Sequence, residues 1–473
     1  RLVYLYLKHR RDRVRPPDRF ENLPRVTLQL PVFNESEVAQ RVIDAACRMD
    51  YPPDRLQIQV LDDSTDGCAE IARRRVEHWR QHGIDIRYHH RRDRTGYKAG
   101  ALADAMPKAS GEFLALFDAD FVPPPHFLRR AIHHFTDPAV GMVQARWTHL
   151  NREDSLLTRM QAIFLDGHFV IEHTARNRAC HWINFNGTAG IWRRRAIDDA
   201  GGWQHDTLTE DVDLSYRSQL AGWRCVFLPT LRCPAELPPE INAFKSQQHR
   251  WTKGSIQCAI KLLPRIMRSA APWTTKAEAF FHLTSPAVYL LVTMLAMLVF
   301  PAFFANLQPT RDGAWAGLLL GATLFGLGTA SAAVFYVVSQ RVQRRSLLGA
   351  VACIPLLMAV GIGIAISNAR AVLEALVGHQ SAFVRTPKYN RPATAVGKPA
   401  TLARFIPVPS AKLGSTALEL AMAGYMVACL VLALSHRNSI MSLPFLLLFA
   451  IGYLYVGLWS LRTHWRGRAA SRS

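Results

Sequence analysis

Along residues 24–147, short apolar runs rich in β-branched residues alternate with segments whose apolar positions recur at helical spacing. VTLQLPVF (26–33), LQIQVLDD (56–63), IDIRYHH (84–90), EFLALFDAD (112–120) and VGMVQARW (140–147) read as strands. IARRRVEHWRQH (71–82) and YKAGALADAMPKA (97–109) read as helices between them. This alternation predicts a mostly parallel α/β sheet, with ligands at the carboxyl ends of its strands. Several polar clusters fall at those ends: Asn34-Glu35, Asp62-Asp63 and Asp118-Ala119-Asp120.

From residue 283 the pattern changes to long apolar runs: 283–304, 315–338, 347–367, 417–435 and 440–461. Each approaches or exceeds the roughly 20 residues a bilayer helix needs, which predicts an integral membrane protein. Segment 261–282 mixes Lys261, Arg265, Arg268 and Lys276 with aromatic and apolar residues, as a helix lying on a membrane surface would. RLVYLYLKHRRDR at the start reads as the end of a truncated apolar helix followed by a basic anchor.

The formal net charge of +21 raises nucleic acid as a partner, and its distribution removes it. From residue 283 onward 16 Lys and Arg face three acidic residues, and they sit in segments flanking apolar runs, such as Arg341, Arg344 and Arg345. That is the positive-inside pattern of a multi-pass protein, not a nucleic-acid stripe. It places residues 1–282 in the cytosol beneath an inner or plasma membrane. By the same parity, 347–380 is interfacial or re-entrant and 381–413 stays on the cytosolic face. Eight scattered cysteines without a C-x-x-C pair suit reduced thiols. The absence of Walker and G-x-G-x-x-G loops argues against P-loop and dinucleotide chemistry.

Four clusters carry candidate chemistry. Asp118 and Asp120, two apart on a strand, would project from one face and suit Mg²⁺ or Mn²⁺, a hard cation shared with substrate phosphates; the alternative is an acidic turn before Pro123. Asp62 and Asp63 leave a strand tip where Asp66 can cap the following helix. Lys98 opens the next helix, where it neutralises a diphosphate or is a surface lysine. Glu210 and Asp211 are neighbouring carboxylates that raise one another's pKa, as a general base near neutrality requires, or acids in a helix first turn. In QQHRW (247–251), Gln247 can bond hydroxyls, Arg250 can clamp a phosphate and Trp251 can stack on a sugar, unless Trp251 is an interfacial anchor.

Taken in order, D-D, D-A-D, T-E-D and Q-Q-H-R-W resemble the processive family 2 glycosyltransferases of the cellulose synthase superfamily. FNGTAGIWRRRAIDDAGGW (185–203) looks like the plant cellulose-synthase-like enzymes that make mannan and xyloglucan backbones. FVRTPK (383–388) is similar to the gating-loop pattern F-x-V-T-x-K and departs from it at Arg385. The resemblance implies an α/β GT-A domain holding a UDP- or GDP-sugar, and an α-helical membrane part. Asn34, Glu35, Asp62, Asp63 and Lys98 would lie on the donor, and Asp118 and Asp120 would bind the metal and diphosphate. Asp211, beside Glu210, would deprotonate the acceptor. Gln247, Arg250 and Trp251 would shape the acceptor site, and Phe383, Thr386 and Lys388 would close over the donor.

The expected organisation is an anchor (1–23), a catalytic domain (24–260), an interface helix (261–282) and two spans (283–346). An interfacial or re-entrant helix with the gating loop (347–413) and two further spans with a basic tail (414–473) complete it. The implied function is processive, inverting synthesis and export of a β-linked polysaccharide, cellulose-, glucan- or mannan-like, with accessory subunits for export as implied partners. The alternatives are a non-processive transferase onto ceramide or diacylglycerol, a transporter or scaffold with a degenerate domain, and a glycoside hydrolase. The hydrolase reading leaves the diphosphate-type D-x-D without a role.

Overall fold

The computed structural model describes residues 1–12, 14–305, 314–381, 385–390, 413–435 and 442–470. Its soluble part is built on a seven-stranded sheet: β1 (Val26–Val32), β2 (Leu56–Asp62), β3 (Ile86–His90), β4 (Phe113–Leu116), β5 (Val140–His149), β6 (Gly190–Arg193) and β7 (Arg224–Ala235). The order is β3-β2-β1-β4-β6-β5-β7. β1 pairs in parallel with β2 and β4, and β5 with β7, whereas β6 runs antiparallel between β4 and β5. The sheet is therefore mixed, and chain order reverses at β1 and β4, opening a crevice at their carboxyl ends.

Alternation in VTLQLPV does not mark a solvent face here. Thr27 and Gln29 are fully buried, as are Gln57 and Gln59 on β2. Buried polar groups must be satisfied internally. They satisfy one another across the parallel register: Thr27 Oγ1 donates to Gln57 Oε1 at 2.8 Å and Gln29 Nε2 to Gln59 Oε1 at 3.0 Å. Apolar side chains close both faces. Val38, Val42, Cys68 and Val76 cover one from helices Ser36–Cys47 and Cys68–Gln81. Leu102, Trp192 and Leu214 belong to the cluster on the other.

The expected boundary at residue 260 falls inside one continuous helix, Ile241–Arg268, which carries QQHRW and runs on past Pro264. No Gly or Pro interrupts SIQCAIKLL (255–263), so nothing stops the helix at 260. The proposed interface segment is thus the end of that helix plus a separate one, Trp273–Thr284.

Among the described residues, three helices are long and apolar enough to cross a membrane: Trp273–Pro301, Gly414–Ser435 and Leu443–Trp465. Leu347–Gly363 and Ala365–Leu376 form a pair bent by 44°. Ala314–Val342 is also helical. Positions 391–412, which the topological expectation placed on the cytosolic face, lie outside the described residues.

The two parts are bolted together by buried charge. Lys245, on the Ile241–Arg268 helix, pairs with Glu419 at 2.6 Å and donates to Ser460 Oγ at 3.2 Å. Glu419→Leu leaves that ammonium without its counter-charge, and breaking such a pair from one side costs about 3–5 kcal/mol. The expected result is a clearly lowered unfolding temperature for the purified chain in detergent. An unchanged transition would show that the pair contributes nothing there.

Candidate active site

One cavity runs along the carboxyl edge of the sheet, from Phe33 and Asp63 past Asp118 and Asp120 to Trp147, His149 and Glu236. Adjacent strands lie roughly 4.8 Å apart, so this edge gives a trough as long as an extended ligand. Of the sequence candidates, Glu35, Asp63, Lys98, Asp118, Asp120, Glu210, Asp211, Gln247, Arg250, Trp251, Thr386 and Lys388 all line it.

Two do not. Asp62, the last residue of β2, is fully buried; it accepts from Tyr88 Oη at 2.6 Å and from the Ser64 amide at 2.8 Å. Successive strand residues face opposite ways, so only one of the Asp62-Asp63 pair can reach the cavity. Asn34 instead splices two loops, its amide donating to Ser64 Oγ and its Oδ1 accepting from the Thr65 amide, both at 2.8 Å. Phe383 lies outside the described residues.

Asp118 and Asp120 converge for a different reason from strand parity. β4 ends at Leu116, and the acids sit on a turn closed by the Phe121 amide donating to the Asp118 carbonyl at 3.0 Å. A lysine meets each carboxylate. Lys98 pairs with Asp118 and donates to the Gly187 carbonyl at 2.7 Å, and Lys388 donates to Asp120 Oδ2 at 2.5 Å. Burial works against the charge of both lysines, but the carboxylates outweigh it and hold their pKa values above the ordinary range.

Glu210 and Asp211 open the Glu210–Leu220 helix, with Thr209 at the N-cap making no side-chain cap bond. Burial, and then the charge of Glu210, push the Asp211 carboxyl up to about 7, against Lys98, which lowers it. The acids occupy a first helical turn, and burial beside Glu210 brings the Asp211 carboxyl near neutrality.

Glycine sets two of the close approaches. Gly187, at φ +79°, would put a Cβ 3.1 Å from Asp211 Oδ2. A Cβ on Gly254 would lie 2.5 Å from the Thr209 side chain, so glycine lets the QQHRW helix press against the T-E-D turn. Gln257 of the same helix accepts from the Leu208 amide at 2.9 Å. Arg250 is surrounded by Glu210, Asp118, Asp211 and Glu35; burial lowers its pKa and these acids raise it.

Motif reading missed several residues in or behind the wall, most of which come from segments between motifs. Arg91 clamps Asp63 through Nε at 2.8 Å and Nη2 at 2.6 Å. Arg94 lies 3.3 Å from the centroid of the Phe33 ring. Glu236, paired with Arg41 at 2.8 Å, accepts from the Tyr389 amide at 2.9 Å. Arg385, noted as a departure from the gating pattern, lines the cavity 3.9 Å from Glu35.

The donor set fits a divalent cation shared with a ligand. Among the described residues, seven carboxylates and five Lys and Arg side chains line the cavity, so its wall offers hard oxygen donors beside the cations that would meet a diphosphate. No cluster of three metal-binding side chains exists among the described residues. Two carboxylates plus phosphate oxygens are the arrangement Mg²⁺ ordinarily takes.

If Asp211 is the base, kcat/KM rises tenfold per pH unit below about 7 and levels off above, since only the ionised carboxylate can accept a proton. Glu35 is also pushed up to about 7, by burial. The rate profile of Glu35→Gln separates the two: the limb should survive, and its loss would reassign it to Glu35.

The family profile described as glycosyltransferase like family 2 matches residues 24–254. Probable glucomannan 4-beta-mannosyltransferase 6 of Oryza sativa subsp. japonica is 45% identical over 238 residues, 49% of this chain and 42% of that protein. Glucomannan 4-beta-mannosyltransferase 2 of Arabidopsis thaliana is 45% identical over 253 residues, 52% of this chain and 47% of that protein. The chain thus matches less than half the length of these curated relatives. A solved mannosyltransferase, PcManGT from Pyrobaculum calidifontis in complex with GDP-Man and Mn2+, superposes with a TM-score of 0.55 at 21% identity. It covers 80% of this chain and 95% of its own. The soluble part therefore has the GT-A fold. Residues 24–254 thus match the family 2 glycosyltransferase profile, and the relatives 45% identical to this chain are named as glucomannan 4-beta-mannosyltransferases.

Proposed function

We propose that this chain transfers hexosyl units from a nucleotide diphosphate sugar, with inversion, to the growing end of a β-linked polysaccharide, and hands the product to its membrane part. The observation that carries this reading is the meeting in one trough of Asp211, raised toward neutrality, the Asp118/Asp120 pair and the Arg250-Trp251 pair.

Asp211 takes the proton from the acceptor hydroxyl, whose oxygen attacks the anomeric carbon as the bond to the diphosphate breaks. The leaving oxygen keeps the bonding electron pair. Lys98, Arg250 and Lys388 stand along the wall where that charge grows, already fixed by carboxylates, so little reorganisation is needed. Trp251 offers the terminal sugar a flat apolar face and Gln247 bonds its hydroxyls. Asp118 and Asp120 would hold Mg²⁺ or Mn²⁺, which neutralises the leaving diphosphate.

The relatives at 45% identity are named for β-mannosyl transfer, which puts GDP-mannose at the head of the donors to try. The apolar helices support a membrane-embedded enzyme; repeated elongation at one site is part of the proposal. Incubating the purified chain with a panel of labelled UDP- and GDP-sugars, then sizing and digesting the product, tests this. A polymer cut by a β-glycanase supports it. A single-sugar lipid as sole product overturns polymer synthesis, and no transfer from any donor overturns the whole reading.

A further inference from the structure

The carboxyl end of β5 carries side chains that sugar transfer as described leaves without a task. Trp147 and His149 stand two apart on that strand, which puts them on one face, and both line the trough. The register of β5 against β7 shifts between Ala145 and Arg146, just before them. Such irregularities bend a strand and re-aim its side chains, and they recur next to active sites. Trp147 is only partly buried and packs against the clusters on both faces of the sheet, so its ring stands at the sheet's edge. Phe121 lies edge-on to that ring with centroids 5.2 Å apart, and Phe169 lies 5.1 Å away. Because Phe121 follows Asp120, the indole stands beside the D-A-D turn.

Asn186 reaches the same corner from the segment before β6. Its backbone amide donates to Gln144 Oε1 at 3.0 Å, and Gln144 Nε2 and Trp147 Nε1 both donate to the Thr188 carbonyl, at 3.1 and 3.5 Å. Its side chain is held in one sense from behind the wall. A π turn, Gly167–Glu172, lets two neighbours reach His168: Glu172 Oε2 is 3.1 Å from Nδ1, and His173 Nε2 is 2.9 Å from Nε2. Burial opposes the charge of Glu172, but Arg176 at 2.7 Å outweighs it and holds the carboxyl well below its ordinary range. A carboxylate at Nδ1 calls for the proton there, so Nε2 accepts, and it meets Asn186 Nδ2 at 3.0 Å.

The amide therefore turns its oxygen the other way. Asn186 lines the trough, and its Oδ1 is buried and accepts from no group among the described residues. His149 Nε2 is likewise buried without a partner among them, and burial lowers that ring's pKa to about 4, so it is neutral. Polar atoms kept dry and unpaired are costly, and a bound ligand that pairs them recovers the cost. An apolar ring face with polar atoms converging beside it suits a pyranose, which stacks through its C–H face and hydrogen-bonds through its hydroxyls. Position selects the pyranose. A donor's hexosyl ring is bonded directly to the diphosphate, so it must lie beside the D-A-D turn, where Trp147 stands.

We propose that Trp147, Asn186 and His149 form the subsite for the donor's hexosyl ring. Trp147 stacks on the ring, Asn186 Oδ1 accepts from one of its hydroxyls and His149 Nε2 bonds another. His168 touches no substrate and is a positioning residue: it fixes the Asn186 amide so that oxygen, not nitrogen, is offered to the sugar. The inference rests on the glycosyltransferase reading and deepens it, since these residues then set which hexose is accepted.

The test is calorimetric binding of GDP, GDP-mannose, UDP and UDP-glucose, each with MnCl₂ and without acceptor. The ligands are titrated into the purified full chain and into Trp147→Leu, Trp147→Phe, Asn186→Ala, His168→Phe and His168→Gln. For the pair that the wild type prefers, Trp147→Leu should weaken the sugar nucleotide about tenfold and Asn186→Ala about fivefold, while the bare nucleotide stays within about twofold. A damaged fold would weaken both ligands alike, and Trp147→Phe, which keeps a flat ring, should lose less than Trp147→Leu. His168→Phe should match Asn186→Ala. His168→Gln should recover most of that loss, because its Oε1 reaches the place of Nε2 and accepts from the same amide. Equal losses for bare and sugar nucleotide in Trp147→Leu and Asn186→Ala, or no loss in either, overturn the subsite. Unchanged sugar-nucleotide affinity beside a raised KM for β-1,4-mannotetraose would give these residues to the acceptor and overturn the donor assignment. Wild-type behaviour of His168→Phe overturns its positioning role alone. A wild type that binds none of the four ligands overturns the glycosyltransferase reading itself.

Discussion

Asp211→Asn should lower turnover about 10³- to 10⁴-fold, the upper part of the range a positioned general base supplies, while nucleotide affinity stays within about threefold of wild type. The carboxylate stands at the first turn of its helix, beside Glu210 and 3.1 Å from where a Gly187 Cβ would lie. Asparagine has nearly the same shape and keeps the carbonyl oxygen that the Val212 amide meets at 2.9 Å. What it loses is the ability to take a proton. Incorporation of labelled sugar measures the first quantity and calorimetry with GDP or UDP the second. A variant that turns over at the wild-type rate removes Asp211 from the chemistry. Equal losses of binding and turnover would make it a donor ligand instead. Glu210→Gln is the informative companion. It removes the neighbouring charge that helps raise Asp211, so the acidic limb of its rate profile should move to lower pH.

Periodicity carried the first half of the sheet and failed at the second for identifiable reasons. β1, β2, β3 and β5 stand where apolar alternation put them. β6 is only four residues long, and β7 contains Pro229 and Pro234, which ordinarily argue against a strand. Its register against β5 shifts between Ala145 and Arg146, an irregularity that local pattern cannot show. The candidate site was legible where residues cluster in sequence: T-E-D and Q-Q-H-R-W meet because Gly254 lets their backbones touch. Arg91, Arg94 and Glu236 were not legible. Their roles exist only once three loops are brought to one sheet edge. Asp62 and Asp63 are alike in sequence and opposite in the fold, and their partners tell them apart: Asp62 serves Tyr88 and Ser64, and Asp63 faces the trough.

Asp120→Asn is the second large expected loss, and it acts on charge rather than proton transfer. Asp120 is 5% exposed and has Lys388 Nζ at 2.5 Å, so the substitution leaves that lysine in a partly dry wall without its carboxylate. It also removes half of the pair proposed to hold the divalent cation. Mn²⁺-dependent strengthening of GDP or UDP binding should disappear, and turnover should fall about 10²- to 10³-fold, the scale set by losing one preorganised electrostatic contact. Lys388→Met alone should weaken donor binding less, because Lys98 and Arg250 still line the trough proposed for the diphosphate. Combining the two should cost less than the sum of the single losses, as expected when one residue's main partner is the other. Strictly additive losses would mean that Lys388 meets the donor independently of Asp120. Wild-type Mn²⁺ dependence in Asp120→Asn would remove the D-A-D turn from metal binding altogether. The contact itself favours the dependent outcome: Lys388 Nζ stands 2.5 Å from Asp120 Oδ2 with both side chains largely buried, so neither charge is placed without the other.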